Sequence, residues 1–332
     1  MLLTLLLFFG SAIAIYLACE FFVNSVEWCG KHLNLGATAV GSVLAAFGTA
    51  LPESAVTFMA VVFGKTAQQK DIGVGAAMGG PLVLATIAYG VVGLALWLRR
   101  RKKAGPANHA VSIDAKRLGR DQLSFLAIFA VKVTLGLVVF AYKPWLGVLF
   151  LAAYALYVWR EINSAETNED EEELEPLKIR PGNPNLAWAG LQAMLALGVI
   201  AFASHIFVSQ LEAIGEGLGM APHLVALLLS PVATELPETM NAIIWVRQGK
   251  ERLALANISG AMMIQATIPS ALGIFFTPWR FDMPLLISGL ITALAIVVLW
   301  LMFRKGKVDS RALSAIALLY GLFAAYMVLG QA

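Results

Sequence analysis

An all-α integral membrane protein, with ten transmembrane helices arranged as two inverted five-helix repeats, is the fold the sequence predicts. Three observations carry that prediction. Of 332 residues, 59% are hydrophobic and 14% are charged, too few polar side chains to cover a soluble globule of this size. Apolar stretches of about 20 residues, the length a helix needs to cross roughly 30 Å of hydrocarbon, recur along nearly the whole chain; a closed barrel would show short alternating strands instead. A segment of 35 residues near the start also recurs 185 positions later.

The ten predicted spans are 2–28, 37–62, 72–98, 122–141, 144–160, 185–211, 221–246, 253–275, 283–303 and 312–330. The first has the small residues of a signal-peptide cleavage site, but it lacks a basic leader and runs on to Val26, so it is read as a mature helix. Cys19 and Cys29 fall in this segment, about 15 Å apart along a helix and too far for a disulfide. Loops after spans one, three, five, seven and nine carry 19 Lys and Arg, counting Arg160 at the edge of span five, against 4 in the loops after spans two, four, six and eight. Basic residues in short loops stay cytoplasmic. Both termini are therefore expected outside the cell, with the RRRKK run at Arg99 to Lys103 inside, against lipid headgroups. The acidic segment 161–184 is read as a solvated cytoplasmic linker between repeats 1–160 and 185–332. Its acids lack the glycine turn and alternating ligands of an EF-hand loop.

The internal repeat is the most informative feature. Cys19–Glu53 aligns without gaps onto Ser204–Glu238, with 11 of 35 positions identical, among them Glu27/Glu212, Thr49/Thr234, Pro52/Pro237 and Glu53/Glu238. A repeat of five spans is odd, so its second copy enters the membrane from the opposite side, an architecture many secondary transporters share. Corresponding segments then meet near the midplane. Thr49-Ala-Leu-Pro-Glu53 and Thr234-Glu-Leu-Pro-Glu238 are expected to face each other there.

A carboxylate within an apolar span is costly and persists where it meets a cation, a proton or a water-filled path. Pro52 and Pro237 each remove a backbone donor, freeing carbonyls near Gly48 and Ala233 as ligands. Opposed carboxylates, hydroxyls and freed carbonyls suit a hard cation such as calcium, which takes six to eight oxygens.

With GTALPE at Gly48–Glu53 and SPVATELPE at Ser230–Glu238, the sequence resembles the cation/calcium exchanger superfamily over nearly its whole length. The repeat motifs span 37–98 and 221–275, and the helices CEFFVNSVEWCGKHLNL and SHIFVSQLEAIGEGLGM look like the family's gating helices. The resemblance implies that Glu53 and Glu238 are the central acidic ligands, with oxygens from Thr49, Thr234 and Ser230. Glu235, whose repeat counterpart is Ala50, either joins them or points away. Where the family carries G-N-x-x-G-S-N after the first motif, this chain has Gly75-Ala-Ala-Met-Gly-Gly-Pro81. The second copy keeps Asn257 and Ser259 and adds Gln265, but has Met262 for the last asparagine. An asymmetric site follows, poorer in oxygen on its first-repeat side.

Three further polar residues fall within spans. Lys132 is either a fixed counter-charge standing in for a monovalent ion, or a lysine snorkelling to an interface or lining a water-filled crevice. Glu20 and His205 occupy equivalent repeat positions and form either a proton path or structural contacts. The function expected is alternating-access antiport of calcium, or a similar divalent cation, for sodium, with proton coupling as the alternative and a channel behind both. Inorganic cations are the substrates, the plasma membrane the location, and neither cofactor nor nucleic acid is expected. No nucleophile–base pair or His/Cys metal cluster argues for an enzyme.

Overall fold

The computed structural model describes residues 2–32, 44–104, 110–164, 175–180, 182, 185–249 and 251–329. In order they form α1 (Leu2–His32), α2 (Leu44–Val62), α3 (Ala67–Val83), a π-helical turn (Leu84–Ala88), α4 (Tyr89–Ala104), β1 (Ala110–Ser112), α5 (Ala115–Leu137), a 3₁₀ turn (Lys143–Leu146) and α6 (Gly147–Ser164). The second half forms α7 (Leu186–Leu218), α8 (Pro222–Thr234), α9 (Leu236–Gln248), α10 (Glu251–Phe276), α11 (Met283–Phe303), β2 (Lys307–Asp309), α12 (Ser310–Ala315) and α13 (Ala317–Leu329).

Six helical stretches among the described residues are long and apolar enough to cross a membrane: Leu2–Val26, Ala67–Arg99, Leu186–Leu218, Ala254–Phe276, Met283–Phe303 and Ser310–Met327. The predicted spans at 37–62 and 221–246 hold the shorter apolar helices Ala50–Val62 and Pro222–Pro231, and those at 122–141 and 144–160 hold α5 and α6. Large apolar side chains point outward along these helices, for example Leu6, Phe9 and Ile13 on α1 and Met194, Leu195 and Phe202 on α7. Such surfaces need lipid as their solvent.

Local chemistry sets the helix ends. Thr66, Asp114, Asn185 and Asp282 cap α3, α5, α7 and α11, each side chain accepting a hydrogen bond from the backbone N–H three residues on. The α7 helix closes on Gly219 at φ +64°, a left-handed position glycine takes at no steric cost. The α3 helix carries Pro81 inside it and passes through the π-helical turn before α4, absorbing the fault without ending.

Two large apolar clusters fill the interior of the described residues, with a small third around Trp28, Leu177 and Ala189. One joins α1, α2, α7 and α8 through Ile15, Val56, Phe207, Leu211 and Val225. The larger joins α3, α4, α5, α10, α11 and α13 through Met78, Tyr89, Phe129, Met262, Ile296 and Phe323. The buried face of α5 carries Leu118, Gln122, Phe125, Phe129, Lys132 and Gly136 at helical spacing.

Among the described residues, the fold is all-α apart from one short strand pair that the sequence reading does not contain. β1 and β2 pair antiparallel, with Val111 opposite Val308; strands of three residues leave no readable alternation in a sequence. The pairing ties the loop after α4 to the loop after α11. Arg99 and Glu251, 2.9 Å apart, join the chain after the third and seventh predicted spans. His223, at the start of the seventh predicted span, lies 2.6 Å from Asp282 in the loop after the eighth. Loops assigned to one side by counting basic residues thus touch loops of the same set. Of the acidic linker, Glu166 and 169–173 lie outside the described residues; the Glu175 carbonyl accepts from Trp28 Nε1 at 2.9 Å.

Candidate cation site

The two Pro-Glu segments shape their helices differently. Pro52 sits inside α2 and deprives the carbonyl of residue 48 of its helical donor. In the second copy the helix breaks: α8 ends at Thr234, Glu235 takes φ −95° and ψ −3°, and α9 starts with Pro237 in its first turn, where a missing N–H costs nothing.

Glu53, Thr234, Glu235 and Glu238 are all buried around this break. Thr234 Oγ1 lies 2.5 Å from Glu53 Oε2 and 3.0 Å from the Ser230 carbonyl oxygen, and its single hydrogen serves one acceptor at a time. That contact joins the two repeats directly. Ser230 is buried one helical turn earlier. Glu235, left open by the sequence, turns inward: its Oε1 accepts from Gln265 Nε2 on α10, and its carboxylate feels those of Glu238 and Glu53. Glu53 Oε1, Glu235 Oε2 and Gln265 Oε1 are buried acceptors without a hydrogen-bond partner. A buried acceptor left this way is costly, and a cation relieves that cost.

The first-repeat side is built from space. A Cβ on Gly80 would lie 2.5 Å from Gln265 Oε1 and 3.3 Å from Glu235 Oε1, so this glycine makes the room that the second-repeat amide and carboxylate occupy. A Cβ on Gly79 would lie 2.5 Å from the Leu227 carbonyl oxygen, which Pro231 leaves without its helical donor. The sequence reading saw here only the loss of family oxygens. The structure adds that Gln265 fills part of the gap from the opposite repeat.

The other predicted residues separate. The side chain of Thr49 lies outside the described residues. Ser259 turns away from the glutamates and donates to Asp121 Oδ2 at 3.3 Å, while Gln122 Nε2 donates to Tyr89 Oη at 3.1 Å and to Ser259 Oγ at 3.5 Å. This cluster stands six residues, about 9 Å along α10, from Gln265. Asn257, half-buried, lies further along the same helix. Glu20 accepts from Lys178 Nζ at 3.2 Å, and His205 is exposed on α7. Lys132 is fully buried and donates to the Ala77 carbonyl oxygen at 2.7 Å, which removes the snorkelling alternative. Sequence reasoning missed Asp121, Gln122 and Tyr89. The signal was present, since Gln122 shares the spacing of Phe125, Phe129 and Lys132 on one face of α5.

Among the described residues, no three His, Cys, Asp or Glu side chains converge into a ready-made metal cage. The glutamates instead border a region whose remaining oxygens come from a hydroxyl, an amide and backbone carbonyls. Such a set suits a hard cation that enters and leaves.

Comparison with known proteins defines the class. The family profile of the sodium/calcium exchanger protein matches residues 3–162 and 188–329, and the chain belongs to that family, one of transporters. Among its relatives, it is 25% identical over 295 residues to the inner membrane protein YrbG of Escherichia coli, covering 85% of this chain and 82% of that one. It is 22% identical over 263 residues to the putative antiporter CaxA of Alkalimonas amylolytica, covering 79% and 77%. Its fold matches the crystal structure of the H+/Ca2+ exchanger CAX with a TM-score of 0.73 at 19% identity, covering 98% of this chain and 82% of that one. The sodium-calcium exchanger NCX_Mj matches with a TM-score of 0.60 at 18% identity, covering 98% of each.

Proposed function

We propose that this chain is a secondary cation antiporter that exchanges calcium, or a similar divalent cation, for sodium by alternating access. The observation carrying this reading is the direct Thr234–Glu53 contact between the repeats, with Glu235 and Glu238 buried beside it. Glu53 and Glu238 are the principal ligands in this reading, and Ser230, Thr234, Glu235 and Gln265 complete an asymmetric oxygen set. The ten crossings run as two inverted repeats, with both termini outside and 161–184 in the cytoplasm. Contacts between loops of like parity support the alternation of the crossings between two faces, and the bias of basic residues supports the orientation. The extensive packing of α1 on α7 supports a cycle in which these two helices move together.

Proton coupling is the second reading. It is favoured by Ala76, Gly80 and Pro81, which present no side-chain oxygens where the resemblance places sodium ligands. Vesicle calcium flux against separate sodium, potassium and proton gradients tests both. Uptake driven by outward sodium alone is the expected result. Uptake driven by a pH gradient in sodium-free buffer transfers the assignment to protons, and absence of calcium flux under every gradient overturns the antiport reading.

A further inference from the structure

The first-repeat helix is poor in side-chain oxygens, yet it is not without a polar partner. Pro81 has no N–H to give the carbonyl four residues earlier, which belongs to Ala77. That carbonyl accepts from Lys132 Nζ at 2.7 Å. Ala77 lies three residues, about 4.5 Å along α3, from Gly80, which abuts Gln265 and Glu235. Lys132 also interacts electrostatically with Glu53. Its ammonium therefore meets a carbonyl freed by proline on one side and the field of a site carboxylate on the other, the surroundings a bound monovalent cation would seek.

The ammonium is held there by rings and by the backbone. Nζ lies 5.3 Å from the centroid of Phe129 and 6.0 Å from that of Trp279, within reach of cation–π attraction. Trp279 is fully buried, has φ +47°, and donates from Nε1 to the Lys132 carbonyl at 3.2 Å. Gly273 makes room for its ring, since a Cβ there would lie 2.2 Å from Trp279 Cζ3. Lys143 Nζ donates to the Trp279 carbonyl at 2.8 Å. Lys132 is thus fixed along its length, with no route to an interface.

We propose that Lys132 is a tethered cation of the transport site, holding permanently the place one monovalent ion would otherwise take and so setting the coupling ratio. The inference rests on the antiport reading above. Glu53, Glu235 and Glu238 against one lysine leave two negative charges, which a single divalent cation or two monovalent cations neutralise. Exchange is then two monovalent ions for one divalent and moves no net charge. Removing the ammonium leaves three negative charges, admits a third monovalent ion, and makes the cycle electrogenic.

The test uses purified full-length protein in proteoliposomes, with calcium as the probe, a fixed coupling-ion gradient, and membrane potential set by potassium and valinomycin. Wild type is expected to accumulate calcium to the same ratio at every potential. In Lys132→Gln, one net charge per cycle shifts that ratio about tenfold for each ~59 mV imposed. Lys132→Arg keeps the charge, so its ratio is expected to stay independent of potential, a result that a packing role for the side chain does not give. If Lys132→Gln fails to fold, the wild-type ion ratio decides: two monovalent ions per calcium supports the inference and any other ratio overturns it. A potential response equal in wild type and Lys132→Gln also overturns it. No calcium flux in wild type is a different failure, that of the antiport reading itself.

Discussion

The two repeats contribute to one site in opposite ways. In the second, α8, α9 and α10 bring Thr234, Glu235, Glu238 and Gln265 inward, and a helix break at Glu235 turns two carboxylates from one short stretch toward the site. In the first, among the described side chains, α2 supplies Glu53, while Gly80 leaves the space that Gln265 occupies and the Ala77 carbonyl that Pro81 leaves unpaired accepts from Lys132. Equivalent positions in a duplicated chain need not do equivalent work. In the reading proposed above, oxygens absent from one copy are supplied by the other, and Lys132 stands where a bound cation would.

The sharpest way to break this comparison is to remove the pair of TxLPE glutamates that the repeats share. Glu53→Gln and Glu238→Gln keep shape and delete a charge. A unit charge near a site ion is worth on the order of 4 kcal/mol at the effective dielectric of a protein, so each variant is expected to lose about 10³-fold in apparent calcium affinity. Initial uptake rates across a calcium titration measure it, with gel filtration checking that the variants remain monodisperse. Near-normal affinity in either variant removes that glutamate from the site.

A smaller effect tests whether the first repeat contributes room. Gly80→Ser restores the residue type that the resemblance leads one to expect, yet its Cβ would start 2.5 Å from Gln265 Oε1. Overpacking of this kind costs roughly 1–3 kcal/mol, and calcium affinity is expected to fall about tenfold to a hundredfold. Truncating the neighbour in Gly80→Ser/Gln265→Ala is expected to recover a large part of that loss, a non-additivity typical of touching residues. Additive losses would show that Gly80 and Gln265 do not share one space.

How much of this was legible follows from what each feature depends on. Glu53 and Glu238 could be read because a charge in an apolar helix needs a reason, and the duplicated TxLPE segments supplied one. The turn of Glu235 could not, because it depends on where the helix breaks, and Thr-Glu-Leu-Pro-Glu is compatible with continuing to Pro237 or ending before it. The link between Lys132 and Ala77 joins residues 55 positions apart; proline chemistry marks the carbonyl as free, but the helix that faces it is known only from packing. The contact of Ser259 with Asp121 was hidden for the same reason, since Asp121 lies on another helix. The two short strands carried no pattern to find.

The smallest expected effect lies at the far end of α7, where the repeats again differ. Glu212 accepts from Thr66 Oγ1 at 3.1 Å and from Gln69 Nε2 at 2.8 Å, tying α7 to the first turn of α3, whereas the side chain of its repeat mate Glu27 lies outside the described residues. Both bonds are partly or fully open to solvent, and water replaces such contacts at a net cost of about 1 kcal/mol. Glu212→Ala is therefore expected to change the calcium uptake rate by no more than about fivefold, because it alters how readily α7 leaves α3 without touching a ligand. The equilibrium ion ratio should not move at all, since a change in barrier leaves the end points of a cycle where they were. Measuring rate and accumulation ratio on the same vesicles separates the two: a shifted ratio would mean that Glu212 belongs to the ion path, and the division between a site made by the second repeat and a gate resting on the first would have to be redrawn.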